Sequence, residues 1–287
     1  MGIYKNTVAK NTLMQLYDKK LASLKLDYED IYLDTEAGKT HVLRSGNPSK
    51  PPVAVLHGIN AGAPLTLEAM TGLLPHFNLF FIESIGQTTK SAETRLPLKD
   101  NSYGLWLKEV FDKMNFEKIP VVAVSFGAFF LQRLLAVAPE KIERAIFVVP
   151  GGFANGKFLP SMKQLSWPLM KFMLSKKDKD LTGFLSAFYH TIGPDDLAFH
   201  RNTLLGVKMD YRKPPLVNKK EMENYNGKVF IMVADDDIFF PGSQAIVRCQ
   251  EVFNNFVEAY TLNNTRHFPH REAYPIINEK VREWLEL

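Results

Sequence analysis

Short apolar runs alternate with longer amphipathic stretches along most of this chain. The runs are rich in Val, Ile, Leu and Phe, as buried strands are, and apolar residues recur at helical spacing in the longer stretches. The predicted strands span residues 27–33, 40–44, 52–56, 79–82, 119–124, 144–149, 228–233 and 257–262. The predicted helices span residues 7–25, 65–74, 103–114 and 128–138, with a last helix from about Pro269. Repeated strand–helix units predict a mostly parallel sheet with helices on both faces.

The chain starts differently, with two strands that lie close together in sequence. They flank Ala37-Gly38, a turn signal that predicts an antiparallel hairpin. Counting this hairpin, the pattern predicts an α/β protein with a mostly parallel eight-stranded sheet. Residues 1–26 are expected to form an N-terminal helical extension, and residues 27–150 and 219–287 are expected to form the α/β core.

Residues 151–218, which we name the cap segment, do not fit a strand–helix unit. Their apolar positions are largely aromatic and are interrupted by Gly and Pro; the aromatic residues are Phe153, Phe158, Trp167, Phe172, Phe184, Phe188, Tyr189, Phe199 and Tyr211. This composition predicts an inserted helical cap over the carboxyl edge of the sheet. A small helical layer needs an aromatic core of its own, and a cap also has to leave apolar side chains facing the cleft beneath it.

Ser125 stands where a predicted strand meets a predicted helix. The strand at 119–124 ends at this serine, and Ala123 and Gly127 lie two positions before and after it. A sharp strand-to-helix turn that exposes a nucleophilic serine needs small residues at these two positions, because the backbone packs closely there. The same five residues also fit an ordinary tight turn. A serine nucleophile needs in addition a base and a carboxylate that orients the base.

Both groups occur after later strands. Three aspartates follow the strand at 228–233, and His267 and His270 follow the strand at 257–262. Carboxyl ends of parallel strands meet at one edge of a sheet, so these side chains can converge on Ser125. The order of serine, aspartate and histidine along the chain is that of an α/β-hydrolase.

Further motifs occur in the same order before the serine. They are Gly38-Lys39-Thr40-His41-Val42, Leu56-His57-Gly58 and Ile85-Gly86-Gln87-Thr88-Thr89-Lys90-Ser91. With them the chain resembles, over nearly its whole length, the α/β-hydrolase superfamily, and within it the capped bacterial serine carboxylesterases similar to the naproxen esterase of bacilli. The resemblance implies an α/β-hydrolase fold and an enzyme that cleaves carboxylic esters through an acyl-enzyme intermediate. It implies no metal and no organic cofactor.

The resemblance also implies a catalytic triad. Position by position, Ser125 is the nucleophile, Asp237 the acid and His267 the base. The family places its acid three residues after the small residue that ends the strand, here Ala234, which favours Asp237 and leaves its two preceding aspartates as alternatives.

His270 is the alternative to His267 as the base. Pro269 suits the first position of a helix, which would put His270 in the first helical turn and leave His267 on the loop from the strand. The loop position is the one expected to reach the serine.

Two backbone N–H groups are needed to bind the oxyanion of the tetrahedral intermediate. Phe126 is expected to supply one, because it follows the nucleophile at the start of a helix whose dipole is positive there. The other is expected from the loop after Gly58, where Ile59 is favoured and Asn60 is the alternative. His57 is interpreted as a structural residue beneath this loop.

Other functions fit the same motifs. Thioesterases, lactonases, amidases and C–C bond hydrolases share the triad, and the fold does not decide among them. A non-catalytic homologue that binds a ligand is a further alternative, although such proteins usually lack a triad residue and none is missing here.

The net charge of +4 gives no reason to expect nucleic acid as a partner. The positive charge is concentrated between residues 151 and 220, with twelve Lys and Arg against five Asp. A solvated lysine face, a guide for anionic substrates and a contact with a membrane surface all fit this excess.

Cellular context is indicated by the cysteine count and the N-terminus. The chain has one cysteine, Cys249, which lies in a helical pattern as a core residue and fits a reducing cytoplasm. The first residues lack an apolar export signal. We therefore expect a cytoplasmic monomer or homodimer without integral membrane association, whose partner is a small acyl substrate with an apolar portion.

Overall fold

A computed structural model describes residues 2–156, 162–210, 212 and 214–287. Eight strands form one sheet in the order β1-β2-β4-β3-β5-β6-β7-β8. Their bounds are β1 Tyr28–Thr35, β2 Gly38–Gly46, β3 Pro52–Leu56, β4 Asn78–Ile82, β5 Ile119–Val124, β6 Ile142–Val148, β7 Lys228–Ala234 and β8 Phe256–Leu262. Strand β2 pairs antiparallel with β1 and with β4, and every other neighbouring pair is parallel. The predicted mostly parallel eight-stranded sheet is confirmed, and so is its antiparallel hairpin.

Helices cover both faces of the sheet. The helices in the described part of the chain, including three of the cap segment, are α1 Thr7–Ser23, α2 Gly62–Ala69, α3 Ser102–Lys113, α4 Gly127–Val137, α5 Trp167–Ser175, α6 Asp178–Leu185, α7 Pro194–Gly206, α8 Lys219–Met222, α9 Gly242–Val252 and α10 Tyr274–Glu286. Successive side chains of a strand point to opposite faces, so central strand β5 supplies both layers. Val121 and Ala123 pack with α3, α4 and α9, whereas Val122 packs with α1, α2 and α10. In the described parts of the chain, no helix combines the length and apolar character that crossing a membrane requires.

Two predicted helix boundaries are wrong. The helix predicted from residue 65 to 74 runs from Gly62 to Ala69 and ends ahead of Gly72, which is a poor helix former. The last helix begins at Tyr274 instead of Pro269, with Pro275 in its first turn, where a missing N–H is tolerated. His270 therefore has an extended backbone outside the helix and is not in its first turn.

Helices α5, α6 and α7 of the cap segment pack around an apolar cluster of their own. Its buried members are Phe172, Leu181, Phe184, Leu185, Phe188 and Leu204. The N-terminal residues contact this part of the chain: the Lys5 N–H donates to the Gly206 carbonyl at 2.8 Å, and the Lys208 N–H donates to the Ile3 carbonyl at 2.8 Å. The division into core, cap and N-terminal extension stays a prediction, and Phe158 and Tyr211 of the predicted cap aromatics lie outside the described residues.

Candidate active site

Ser125 lies on the turn between β5 and α4 with a left-handed backbone, at φ +49°. A non-glycine residue adopts this conformation only where its surroundings hold it there. Two hydrogen bonds do so: the Ser125 N–H donates to the Val148 carbonyl at 2.9 Å, and the Ser125 carbonyl accepts from the Gly151 N–H at 2.9 Å. The end of β6 therefore fixes the turn that presents the serine hydroxyl.

The small residues on either side of Ser125 have a direct steric role. A Cβ atom on Gly127 would lie 2.5 Å from the carbonyl oxygen of Leu56, a distance that no side chain tolerates. Ala123 is fully buried within β5, between Leu56 of β3 and Phe147 of β6. A glycine is therefore required where the start of α4 meets the end of β3, and Ala123 lies on a strand enclosed on both sides.

The structure brings Ser125, His267 and Asp237 together from three separate loops. The Ser125 Oγ lies 2.8 Å from His267 Nε2, and His267 Nδ1 lies 2.8 Å from Asp237 Oδ2. A carboxylate only accepts hydrogen bonds, so Nδ1 carries the hydrogen and Nε2 is left to accept from the serine hydroxyl. All three side chains are buried. This is the arrangement in which a serine loses its proton to an oriented imidazole.

The loop after β7 holds the Asp237 carboxylate in place. Its second oxygen, Oδ1, accepts from the backbone N–H groups of Phe239 at 2.8 Å and Phe240 at 3.0 Å. The ring of Phe240 also lies edge-on to the imidazole of His267, with ring centroids 5.3 Å apart. The carboxylate thus has partners on both oxygens and one orientation.

The two other aspartates of this loop point elsewhere. Asp235 accepts from the N–H groups of Asn264 at 2.8 Å and Thr265 at 2.9 Å, and these hydrogen bonds, that from Thr265 foremost, lower its pKa. It ties the loop after β7 to the loop that carries the histidine. Asp236 is exposed and pairs with Arg266 at 3.0 Å. Of the three adjacent aspartates, Asp237 is the one that reaches His267.

His270 and His57 have other environments. His270 Nδ1 lies 3.8 Å from the Glu272 carboxylate. His57 donates from Nδ1 to the Gly58 carbonyl at 2.7 Å and accepts the Ser84 N–H on Nε2 at 2.9 Å, which requires a neutral ring. Burial lowers the pKa of His57, against the opposing charge of Glu83. His57 therefore braces the loop after β3 beside the serine.

The predicted oxyanion donors lie beside Ser125. Within the described residues, no hydrogen bond engages the backbone N–H of Ile59 or that of Phe126. The Asn60 N–H, in contrast, donates to Gln87 Oε1 at 2.6 Å and is not available to a substrate. A Cβ atom on Gly58 would lie 3.3 Å from the Ser125 Cβ, which shows how closely this loop approaches the serine. Of the two candidates on the loop, Ile59 is the one with a free donor.

Gln87 is a residue whose part in the site the sequence did not reveal. Gln87 accepts the Asn60 N–H, and its neighbour Thr88 binds two other groups of Asn60. The Thr88 N–H donates to the Asn60 side chain at 3.2 Å, and the Thr88 hydroxyl donates to the Asn60 carbonyl at 2.9 Å. Asn60 needs this support because its backbone is left-handed, at φ +56°. The one signal in the sequence is that both residues belong to the motif of residues 85–91.

A fully buried carboxylate, Glu83, joins these loops from below. It accepts the Ala63 N–H at 2.8 Å, the Lys90 N–H at 2.8 Å and a hydrogen bond from His41 at 2.9 Å. Burial by itself would raise the pKa of Glu83, but the hydrogen bonds and the charge of His41 outweigh burial and lower it. His41 reaches Asp30 through its second ring nitrogen at 2.6 Å.

A cavity is lined by Ile59 and Phe126, the residues that carry the two free N–H groups. Apolar and aromatic side chains form much of its wall; they are Leu98, Tyr103, Phe126, Val207 and Met209. Arg95, Asp210 and Arg212 line it as well, and Arg212 pairs with Asp210 at 2.6 Å. The described residues contain no group of three or more His, Cys, Asp or Glu side chains placed to bind a metal ion.

No family model matches the chain. Two curated proteins of Bacillus subtilis match it over most of their length. Carboxylesterase YbfK is 22% identical, over 94% of this chain and 92% of its own. The uncharacterized carboxylesterase nap is 21% identical, over 93% of this chain and 90% of its own.

Solved structures of bacterial carboxylesterases superpose on this chain over almost its whole length. The naproxen esterase of Bacillus subtilis superposes with a TM-score of 0.82 at 19% identity, covering 98% of this chain and 99% of the esterase. Carboxylesterase CesB (YbfK) of the same organism superposes with a TM-score of 0.79 at 19% identity, covering 97% and 99%. The resemblance to bacillar carboxylesterases is confirmed, and the chain has the α/β-hydrolase fold.

Proposed function

We propose that this protein is a serine hydrolase that cleaves carboxylic esters. The observation that supports the proposal most directly is the hydrogen-bonded series from Ser125 through His267 to Asp237, on a strained turn beside two unoccupied backbone donors. The names of its Bacillus subtilis relatives favour an ester over the other acyl bonds that such a triad cleaves.

In the first half of the reaction the Ser125 Oγ attacks the ester carbonyl carbon while His267 Nε2 takes its proton. The carbonyl oxygen becomes an oxyanion, which accepts hydrogen bonds from the N–H groups of Ile59 and Phe126. Asp237 keeps the imidazole oriented and stabilises the imidazolium. The tetrahedral intermediate then collapses, His267 gives its proton to the departing alcohol, and the acyl group remains on the serine.

In the second half a water molecule attacks the acyl carbon. His267 takes a proton from this water, and the same two N–H groups bind the second oxyanion. Collapse of this intermediate releases the carboxylic acid, and the proton on His267 returns to the Ser125 Oγ. The cavity beside Phe126, with Leu98 and Tyr103 in its wall, suits a small acyl substrate with an apolar portion.

A fluorophosphonate probe tests the nucleophile. We expect it to label Ser125 in the folded wild-type protein and to give no label after Ser125→Ala, with the labelled peptide identified by mass spectrometry. Labelling at another serine, or no labelling of folded protein, would contradict the proposal.

A panel of short- to medium-chain p-nitrophenyl esters, set against a thioester, a lactone and an anilide, tests which bond the enzyme cleaves. Among these four kinds of substrate, an ester is expected to give the highest kcat/KM.

Two further properties belong to the proposal. We place the protein in the cytoplasm, which its single cysteine supports, since Cys249 is a free thiol buried in α9 and proteins of the reducing cytoplasm rarely contain disulfides. Its state is monomer or homodimer, which sedimentation velocity would distinguish.

A further inference from the structure

Helix α5 of the cap segment is apolar on nearly every side. Its nine residues read Trp-Pro-Leu-Met-Lys-Phe-Met-Leu-Ser, with one charged side chain, Lys171. A helix of this composition is normally enclosed by protein. Here Phe172 is its one buried residue, and α5 packs on α6 and on the preceding turn at Met162–Ser166. Leu169 is half-buried against the same cluster as Phe172, and the other large apolar side chains of α5 are exposed.

Five large apolar side chains form this exposed surface. Trp167 is 63% exposed and Leu174 is 79% exposed, values that are high for apolar residues of this size. We name the surface the cap outer face, and its members are Met162, Trp167, Met170, Met173 and Leu174. Contiguous exposed apolar surface of this kind marks a place where a molecule binds to something else.

Lysines lie close to the cap outer face in sequence. Residues 162–180 contain five lysines and two aspartates. Both aspartates are already paired: Asp180 with Lys171 at 2.9 Å, and Asp178 with Arg201 at 2.6 Å. Within the part of the chain that the structure describes, no carboxylate pairs with the other four lysines, which are Lys163, Lys176, Lys177 and Lys179.

We propose that the cap outer face docks on an anionic lipid surface. A short helix with Trp, Leu and Met on one side and lysines at its border has the composition of segments that lie in a membrane interface. The apolar side chains would enter the boundary between headgroups and acyl chains, and the lysines would contact the negatively charged headgroups. The binding is peripheral and reversible, and it does not depend on the catalytic serine.

A second copy of this chain fits the same face less well. In a symmetric dimer each residue of the patch meets the same patch on the partner. The unpaired lysines of two copies, Lys163 and Lys176 among them, would then come together with no carboxylate to neutralise them. An anionic surface offers both the apolar layer and the opposite charge.

The inner side of α5 connects the cap outer face to the catalytic loops. Phe172 belongs to the apolar cluster of the cap segment, against which Phe239 and Phe268 also pack. Phe188 of this cluster stacks on Phe239, two residues after Asp237, with ring centroids 4.7 Å apart. The Phe268 N–H, next to His267, donates to the Phe188 carbonyl at 3.0 Å. A docked cap would therefore hold the acid and base loops on the helical layer that contacts lipid.

The chain carries a natural reporter for this contact. Of its three tryptophans, Trp106 and Trp284 are buried and Trp167 is exposed. We would add unilamellar vesicles of phosphatidylcholine, with and without phosphatidylglycerol, to the full-length protein. The expected results are a blue shift of the tryptophan emission and co-sedimentation with the anionic vesicles, both weakening as salt is raised.

Three variants sharpen the test. Trp167→Ser combined with Leu174→Ser is expected to lower binding to anionic vesicles about tenfold or more, because two insertable side chains are lost. Lys163→Gln combined with Lys176→Gln is expected to weaken binding to anionic vesicles specifically. Leu105→Ser, at an apolar side chain of α3 that is 58% exposed, is the matched control and should bind like the wild type.

Several outcomes would overturn the proposal. They are absence of co-sedimentation with anionic vesicles, equal loss of binding in the Leu105→Ser control, and a lipid-independent blue shift that grows with protein concentration, which would assign the face to a second copy. Circular dichroism melts show whether each variant is folded. Ser125→Ala should bind vesicles like the wild type, so the docking result stands or fails separately from the esterase proposal.

Discussion

The catalytic loops and the cap outer face are two regions joined by one aromatic cluster, and they differ in how many contacts their side chains make within the protein. In the catalytic loops, polar side chains tie one loop to another: Asp235 holds the histidine loop, Gln87 holds Asn60, and Glu83 holds Ala63. On the cap outer face, large apolar side chains such as Leu174 contact solvent. A site that has to orient atoms needs its support built in, whereas a surface that binds a partner keeps its contacts unmade.

The sharpest test of this contrast lies within the catalytic loops, at two adjacent aspartates. Asp237→Asn should lower kcat about 10⁴-fold, since an amide at this position favours the wrong imidazole tautomer. Asp236→Asn should change kcat less than about threefold, because Asp236 pairs with Arg266 at the surface. Stopped-flow or steady-state hydrolysis of a p-nitrophenyl ester measures both. Similar losses in the two variants would show that the loop does not separate its aspartates as described.

These aspartates also show which parts of the site could be predicted from the sequence. The turn at Ser125 could be predicted from spacing, because turns of this kind place the residue two positions after the serine against a neighbouring strand, as Gly127 is against Leu56. Which of three adjacent carboxylates faces His267 depends on the path of a loop, and the resemblance rather than the pattern favoured Asp237. The support from Gln87 could not be predicted from local pattern, since its partner Asn60 lies 27 positions away.

In the cap segment the sequence pattern fails to predict which side chains are exposed. A helix with a single charged residue is expected to be buried, but α5 buries Phe172 and leaves most of its other large side chains exposed. Periodicity carries no information on whether a neighbouring element covers a helix. The last helix teaches a related lesson: Pro269 and Pro275 are both plausible first-turn residues, and the chain uses Pro275.

The two sides of α5 should therefore respond very differently to truncation. Phe172→Ala is expected to lower the free energy of unfolding by about 3–5 kcal/mol, since it opens a cavity in the cluster of the cap segment. Leu174→Ala, two residues on, should change it by no more than about 0.5 kcal/mol. Urea denaturation followed by circular dichroism gives both values. A large loss for Leu174→Ala would mean that the cap outer face is covered by protein.

Acid should weaken the catalytic loops and the cap segment through one histidine in each, the buried His57 and the half-buried His200. Burial lowers the pKa of His57 beneath the catalytic loops, and it lowers the pKa of His200 in α7 to about 4. Below the ordinary histidine pKa of 6.5 the unfolded chain binds protons that the folded chain does not, so stability falls as pH drops from 6.5 towards 4. His200→Gln should recover about 1–2 kcal/mol of that loss at about pH 5.

The measurement is the urea midpoint of wild type and His200→Gln at about pH 7.5 and about pH 5. The replacement also removes the hydrogen bond between Tyr189 and His200 at 2.7 Å, which lowers stability at both pH values. The result is therefore the change in urea midpoint between the two pH values. If this change is the same in His200→Gln as in the wild type, His200 is not a source of acid sensitivity.

The smallest expected effect concerns Gln87, which acts on the oxyanion through the loop that carries Ile59. Gln87→Ala frees the Asn60 N–H, so the loop loses one of its anchors and the Ile59 donor its fixed direction. We expect kcat to fall about tenfold with KM nearly unchanged, less than the loss of a donor itself, which is about 10²–10³. Gln87→Met keeps the length of the side chain without an acceptor oxygen and should lower kcat about as much as Gln87→Ala. If Gln87→Met instead keeps the wild-type kcat, the role of Gln87 lies in the wall of the cavity, where the side chain also stands, and not in holding Asn60.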